Sequence, residues 1–187
     1  MKALNSLKVN GYWKDNSSEG KVIWGDARQK LKEIPEEICF DIIMLDAFSP
    51  KKCPQLWSQE FLQMLTKKLA NNGRIITYCS AASLRKSLKD AGLIVMSLLP
   101  INNPKDWSSG TIGIKRKEMA PEGEKLKIYT HLSDMEEEHL NTRAGIPYRD
   151  PSGYSTTQEM KRRRMKDQLS STCKSTSSWK RKWKNAK

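Results

Sequence analysis

From about residue 20 to residue 118 this chain of 187 residues alternates apolar, β-branched runs with stretches of helical periodicity. That alternation constrains the fold more than any other feature, because strands separated by helices of this length stack into a sheet with helices on its faces. Lys21-Val22-Ile23-Trp24, closed by Gly25-Asp26, reads as a strand ending in a loop, and residues 26–33 are helix-compatible. Phe40-Asp41-Ile42-Ile43-Met44-Leu45-Asp46 reads as a strand buried on both faces and ending at an acid. Ser58 is a good N-cap for a helix with Phe61, Leu62, Leu65 and Leu69 on one face, and Asn71-Asn72-Gly73 is expected to stop it. Arg74–Cys79 is a third strand. Ser80 is expected to cap a helix carrying Leu84, Leu88 and Ala91, which Gly92 terminates.

Leu93–Leu98 and Gly110–Arg116 follow as strands with no helix between them, so they are expected to pair antiparallel. A mostly parallel sheet ending in such a hairpin is the terminal signature of the class I methyltransferase variant of the Rossmann-like fold, although other doubly wound folds also end mixed. Beyond residue 119 the periodicity fades. Glu136–Glu138 belong to a short helix at most, and the serine-rich stretch 170–178 is expected to be mobile. The expected organisation is a methyltransferase-like domain over 1–120 and a polar, basic, partly disordered extension over 121–187.

Charge is also unevenly placed along the chain. Residues 1–150 hold 23 Lys/Arg and 19 Asp/Glu, whereas residues 151–187 hold 11 basic and 2 acidic ones, so most of the +13 excess lies in the last fifth. Lys161-Arg162-Arg163-Arg164 and Lys180-Arg181-Lys182 could neutralise phosphates, and Trp179 and Trp183, four residues apart, could stack on bases. The competing reading is a solvated tail. An anionic membrane surface fits less well, for want of a long apolar face. The longest nearly apolar run, Leu93 to Ile101, is too short to span a bilayer, and the N-terminus carries no secretory pattern. Four scattered cysteines without a C-x-x-C pair and two histidines in a polar stretch argue for reduced thiols, a cytoplasmic location and no metal.

Candidate chemistry lies where strands end, because ligands of open α/β sheets sit beyond the carboxyl ends of the strands. Asp26 and Asp46 occupy such positions. Each can accept a hydrogen bond from an adenine or an amine, or can simply cap a loop. The loop Asp46-Ala47-Phe48-Ser49-Pro50, continuing to Pro54-Gln55-Leu56-Trp57, combines an acid, two aromatic residues and restricting prolines.

These residues resemble the signature of the methyltransferase domain of the MnmC family, the tRNA 5-methylaminomethyl-2-thiouridine biosynthesis proteins and their stand-alone relatives. The likeness extends through Trp24-Gly25-Asp26-Ala27-Arg28, Gly73–Ala82, Leu84–Leu88, Ala91-Gly92-Leu93 and Lys115–Met119, covering roughly residues 20–120. The resemblance implies methyl transfer from S-adenosylmethionine to an aminomethyl group on the wobble uridine of tRNA. In that reading Asp46 orients the amine and receives its proton, Asp26 binds the adenine edge, and Phe48 and Tyr78 flank a base or adenine, or else belong to the core. It also implies tRNA as partner and a separate oxidoreductase supplying the substrate; flavin is not expected, because the polar residues after 120 are too few for the second dinucleotide fold that bifunctional members of the family carry. The family's opening strand and glycine-rich turn have no match here: Gly11, Gly20 and Gly25 are isolated, and Ala3–Val9 resemble the fold's second helix. The expectation is therefore a fold lacking its first two strands and binding S-adenosylmethionine poorly. The rival expectation is a non-catalytic RNA- or partner-binding remnant.

Overall fold

The computed structural model describes residues 2–100, 109–116 and 128–184. The chain divides into two compact units, Met1–Pro35 and Glu36–Lys187. The boundary expected at residue 120, and the motif residues Lys117–Met119, lie outside the described residues.

In the first unit α1 (Lys2–Asn10) leads into a hairpin of β1 (Tyr12–Lys14) and β2 (Glu19–Lys21). The strand expected over 21–24 does not form. Lys21 closes β2, and Val22–Trp24 lie outside any strand, with Ile23 44% and Trp24 71% exposed. Among the described residues they have no ladder to join, and β propensity alone does not order a strand without one. Asp26 then caps the short α2 (Ala27–Lys30), and a 3-10 turn covers Leu31–Glu33.

The second unit is a five-stranded sheet in the order β3 (Phe40–Met44), β4 (Leu69–Thr77), β6 (Gly110–Ile114), β5 (Ile94–Leu98) and β7 (Tyr129–His131). The expected antiparallel pairing of β5 with β6 is present, from Ile94 opposite Ile114 to Leu98 opposite Gly110. The sheet is less parallel than expected. Among the described residues β3 and β4 form its one parallel ladder, while β6 inserts antiparallel between β4 and β5, and β7 pairs antiparallel with β5.

β3 is an edge strand among the described residues rather than one buried on both faces. Ile42 is 59% and Met44 79% exposed. The apolar composition that suggested a central strand is real, but its outer side has no described neighbour.

Helix α3 (Gln59–Lys67) starts where expected, with the Ser58 hydroxyl accepting from the Phe61 N–H. It buries Phe61, Leu62 and Leu65, yet it ends at Lys67, not at Asn71-Asn72-Gly73. Those residues lie inside β4, where Asn72 takes φ 64° and the register with β3 shifts between Phe40 and Ile42. The left-handed residue therefore marks a strand irregularity instead of a helix stop. Helix α4 (Ala82–Asp90) has Ala81 at its N-cap without a side-chain bond, so Ser80 is not the cap; Gly92 follows at φ 88°, as a helix-ending glycine does.

One sheet face carries Met96, Ile112 and Ile114, backed by Ile76, Leu98 and Tyr129. All five residues of β6 are buried.

The C-terminal part is more ordered than its composition suggests. α5 (Asp134–Leu140) and α6 (Thr157–Ser170) both start with capping boxes, Ser133 with Glu136 and Thr156 with Glu159, and α7 (Thr176–Lys184) follows. Within the serine-rich stretch, Lys174 forms an isolated bridge with Thr142. What substitutes for a periodic apolar stripe is a set of single anchors. Trp179 is buried, stacks on His139 at 4.0 Å between ring centroids, and donates Nε1–H to the Met135 carbonyl at 3.0 Å.

A buried polar cluster joins α4 and α5 to the sheet. Arg85 of α4, 2% exposed, donates to Glu136 Oε1 at 2.7 Å, to Thr111 Oγ1 at 2.9 Å and to the Gly110 carbonyl at 3.1 Å. Ser97 donates to the same Glu136 oxygen at 2.8 Å, and Thr111 in turn donates to the Cys79 carbonyl at 2.7 Å. Desolvation pushes the Glu136 carboxyl up. The Arg85 hydrogen bond, the Ser133 N–H, the Ser97 hydroxyl and the Arg85 charge outweigh it, bringing the carboxyl down to about 2.

Candidate active site

Parallel β3 and β4 carry their carboxyl ends to one edge of the sheet. Leu45, just past β3, is buried and its N–H reaches the Ile76 carbonyl at 2.9 Å, so the ladder fixes the backbone up to the residue before Asp46. Asp46 then leaves the sheet and is exposed. From β4 the chain continues into Tyr78, which donates its hydroxyl to the Ala47 carbonyl at 2.7 Å. Trp57, 1% exposed, closes the other side: it donates Nε1–H to the Phe48 carbonyl at 2.6 Å and meets the Tyr78 ring edge-on at 6.2 Å.

The consecutive carbonyls of Ala47 and Phe48 are thus held by two side chains from different elements. An exposed acid on a loop ordinarily samples many orientations. Here the backbone on both sides of Asp46 is fixed, which lowers the entropy lost when a ligand engages the carboxylate. Loss of hydration raises the Tyr78 hydroxyl above its ordinary value, and the Cys79 thiol and Asp46 carboxylate push the same way, so it stays protonated as a donor.

The loop is supported in turn by the C-terminal segment. The 3-10 turn Pro54–Trp57 bonds through Gln55 Nε2 to Thr157 Oγ1 at 2.8 Å. The Gln59 N–H donates to the Tyr148 carbonyl at 2.9 Å, and Glu60 accepts from Arg149 Nε at 2.6 Å and from the Asp150 N–H at 2.7 Å. Behind Tyr78, a Cβ at Gly110 would collide with the Thr77 carbonyl, so only glycine lets β6 start this close to the end of β4.

The structure brings together Asp46, Phe48 and Tyr78 of the expected set. Phe48 is 76% exposed and leaves its ring free, whereas Tyr78, half-exposed, spends its hydroxyl on the loop. Asp26 lies in the first unit. Its carboxylate caps α2 by accepting from the Arg28 N–H at 2.9 Å and binds the Arg28 side chain through Nε at 3.1 Å and Nη2 at 2.7 Å.

The basic residues separate into two groups. Arg163 donates to the Arg149 carbonyl, and Arg164 donates to the carbonyls of Ile146 at 2.7 Å and Ala144 at 3.0 Å while stacking on Tyr148. Lys182 pairs with Glu138 at 2.6 Å, and Trp183 Nε1 donates to the same carboxylate at 2.9 Å. Lys161, Arg162, Lys180 and Arg181 are exposed. Trp179, expected as a stacking surface for bases, is consumed by internal packing.

Sequence reasoning offered the Trp57 ring only as a flat surface for a base or a cofactor, and it assigned no role to Arg85 and Thr111. Trp57 stands eleven residues from Asp46 among prolines, which is a local signal; the other two carry none, since their partners are distant in sequence.

Residues 6–111 match the family model described as S-adenosyl-L-methionine-dependent methyltransferase. An uncharacterised protein of Methanocaldococcus jannaschii is 32% identical over 92 residues, covering 49% of this chain and 25% of the relative. The tRNA 5-methylaminomethyl-2-thiouridine biosynthesis bifunctional protein MnmC of Campylobacter hominis is 33% identical over 85 residues, covering 46% of this chain and 12% of that protein. The chain thus spans a quarter or less of these two relatives. The crystal structure of MnmC2 from Aquifex aeolicus superposes with a TM-score of 0.74 at 26% identity, covering 89% of this chain and 50% of that one.

Proposed function

Since the chain belongs to the S-adenosyl-L-methionine-dependent methyltransferase family and has its class I fold, we propose that it serves methylation of tRNA, with the 5-aminomethyl group of a modified uridine held at Asp46. One observation carries the reading: an exposed carboxylate at the carboxyl edge of β3, its backbone clamped by Tyr78 and Trp57. The primary amine of a 5-aminomethyl group is cationic at neutral pH, and a carboxylate is its natural acceptor. Asp46 orients the amine and takes its proton. The exposed Phe48 ring offers a flat surface for the uracil or a neighbouring base. The relatives named for tRNA 5-methylaminomethyl-2-thiouridine biosynthesis support this choice of substrate.

The methyl donor fits these residues only in part. S-adenosylmethionine supplies an activated methyl group when bound. The sequence has no G-x-G-x-G turn to bring backbone N–H groups close to such a ligand, and the Asp26 carboxylate is engaged by Arg28. No step is therefore assigned to the donor. The same observation favours a second reading, in which the chain binds the modified tRNA without methylating it.

Two measurements on the 187-residue chain test this. Binding to tRNA carrying 5-aminomethyluridine should exceed binding to the same unmodified tRNA by about five-fold, the worth of one charge-assisted hydrogen bond at a partly solvated carboxylate. Asp46→Asn should abolish that preference. Equal binding of the two tRNAs by the unaltered chain would overturn the assignment of Asp46. Transfer of labelled methyl from S-adenosylmethionine to the modified tRNA separates the catalytic reading from the binding one.

A further inference from the structure

Helix α6 turns two chemically different faces to its surroundings. Met160 is fully buried. Arg163 and Arg164 donate to the carbonyls of residues 144, 146 and 149, and Gln168 donates to the Arg143 carbonyl at 2.8 Å. Positions 160, 163, 164 and 168 fall on one face at helical spacing, so the helix is bolted to the segment 143–149 along its length. The opposite face presents Lys161, Arg162, Met165, Lys166 and Leu169, all exposed, with Met165 at 58% and Leu169 at 72%.

On a helical projection the Met165–Leu169 stripe runs up the middle of this face, with Lys161 on one flank and Arg162 and Lys166 on the other. Lys161 and Lys166 make no hydrogen bond or ion pair among the described residues. Glu159, the acid in the first turn, is hydrogen-bonded at the helix N-terminus through Thr156 at 2.7 and 2.8 Å, and of the three flanking cations only the Arg162 charge acts on it. Three cations are thereby presented on a rigid support, and the first and last stand about 7.5 Å apart along the axis.

We infer that the outer face of α6 is a docking surface for the tRNA sugar–phosphate backbone, with Lys161, Arg162 and Lys166 on phosphates and Met165 and Leu169 against the sugars between them. This rests on the tRNA reading above and identifies the surface that supplies its affinity. The geometry favours nucleic acid over a lipid surface. An interfacial helix needs a broad apolar face, and here two apolar residues are hemmed by cations on both flanks. It also separates this trio from Arg163 and Arg164 in the same basic run, whose guanidinium groups hold the protein together.

The test is the triple variant Lys161→Ala, Arg162→Ala, Lys166→Ala in the full chain. All three positions are exposed, and circular dichroism should match the unaltered chain. Against tRNA, affinity at low salt should fall about ten-fold, and the slope of log K against log salt should shrink by about 2 to 3, near one for each phosphate no longer neutralised. The preference for 5-aminomethyluridine-containing tRNA should persist, because Asp46 is untouched. An unchanged salt slope would overturn the docking surface while leaving the Asp46 assignment standing. Vesicles of phosphatidylcholine and phosphatidylserine form the second arm. Tighter binding to them than to tRNA, abolished in a Met165→Ser, Leu169→Ser variant, would overturn the proposal in favour of a membrane surface.

Discussion

Arg85→Met is expected to lower the unfolding free energy by about 3–5 kcal/mol at neutral pH, the effect of stranding one partner of a buried ion pair. The methionine fills comparable space, so the loss comes from Glu136, which keeps a desolvated charge with its Ser97 and Ser133 bonds but without the guanidinium. Urea unfolding measures this, and its pH dependence identifies the cause. In the unaltered chain the Glu136 carboxyl is held at about 2, below its ordinary 4.5. A depressed carboxyl contributes stability that is full above about 4.5 and is lost as pH falls toward 2. In Arg85→Met, burial dominates and the carboxyl rises, so acidification neutralises the stranded charge and the gap between the two proteins narrows as pH drops. A gap that stays constant from neutral pH to about pH 3 would show that the loss is one of packing alone. Replacing both partners, Arg85→Met with Glu136→Leu, should recover much of the stability, since an apolar pair of similar volume carries no desolvated charge.

What the sequence disclosed and what it hid follow from the range of the interactions concerned. Ser58 as a cap was legible because its signal lies within a few residues, and the pairing of β5 with β6 because two apolar runs follow one another with no helical pattern between them. The fate of residues 21–24 and the edge position of β3 were not, since a strand's place depends on its neighbours and composition reports only that it is apolar. A short helix at Glu136–Glu138 was expected and α5 supplies it, but the full extent of the C-terminal helices escaped for a third reason. They are held by single anchors such as Trp179 on His139 and Arg164 on Tyr148, and isolated anchors leave no periodic stripe to read. At the site, residue types indicated that Asp46 and Tyr78 were candidates but not which part of Tyr78 works. Its hydroxyl binds the Ala47 carbonyl, and that bond spans 31 positions.

Trp57→Ala should be as destructive as the loss of Arg85, for a different reason. The indole is 1% exposed, so truncation leaves a cavity worth about 3–5 kcal/mol, or a melting-temperature drop of roughly 6–20 °C for a chain of this size. That variant alone cannot separate support of the fold from support of the site. Trp57→Phe can. It retains most of the apolar volume and a ring against Tyr78, but removes the donor to the Phe48 carbonyl, at a cost of about 1 kcal/mol. If the clamp on the Asp46 loop is what readies the carboxylate, Trp57→Phe should lose the discrimination between modified and unmodified tRNA while its total affinity, which the docking proposal assigns to the α6 cations, stays near that of the unaltered chain. Tyr78→Phe, which removes the hydroxyl holding the adjacent carbonyl, should act in the same direction, because the two donors fix neighbouring peptide units of one loop. A Trp57→Phe protein that melts slightly lower yet keeps full discrimination would mean that the loop is ordered without its tryptophan bond, and that the prolines and the β3–β4 ladder suffice to position Asp46.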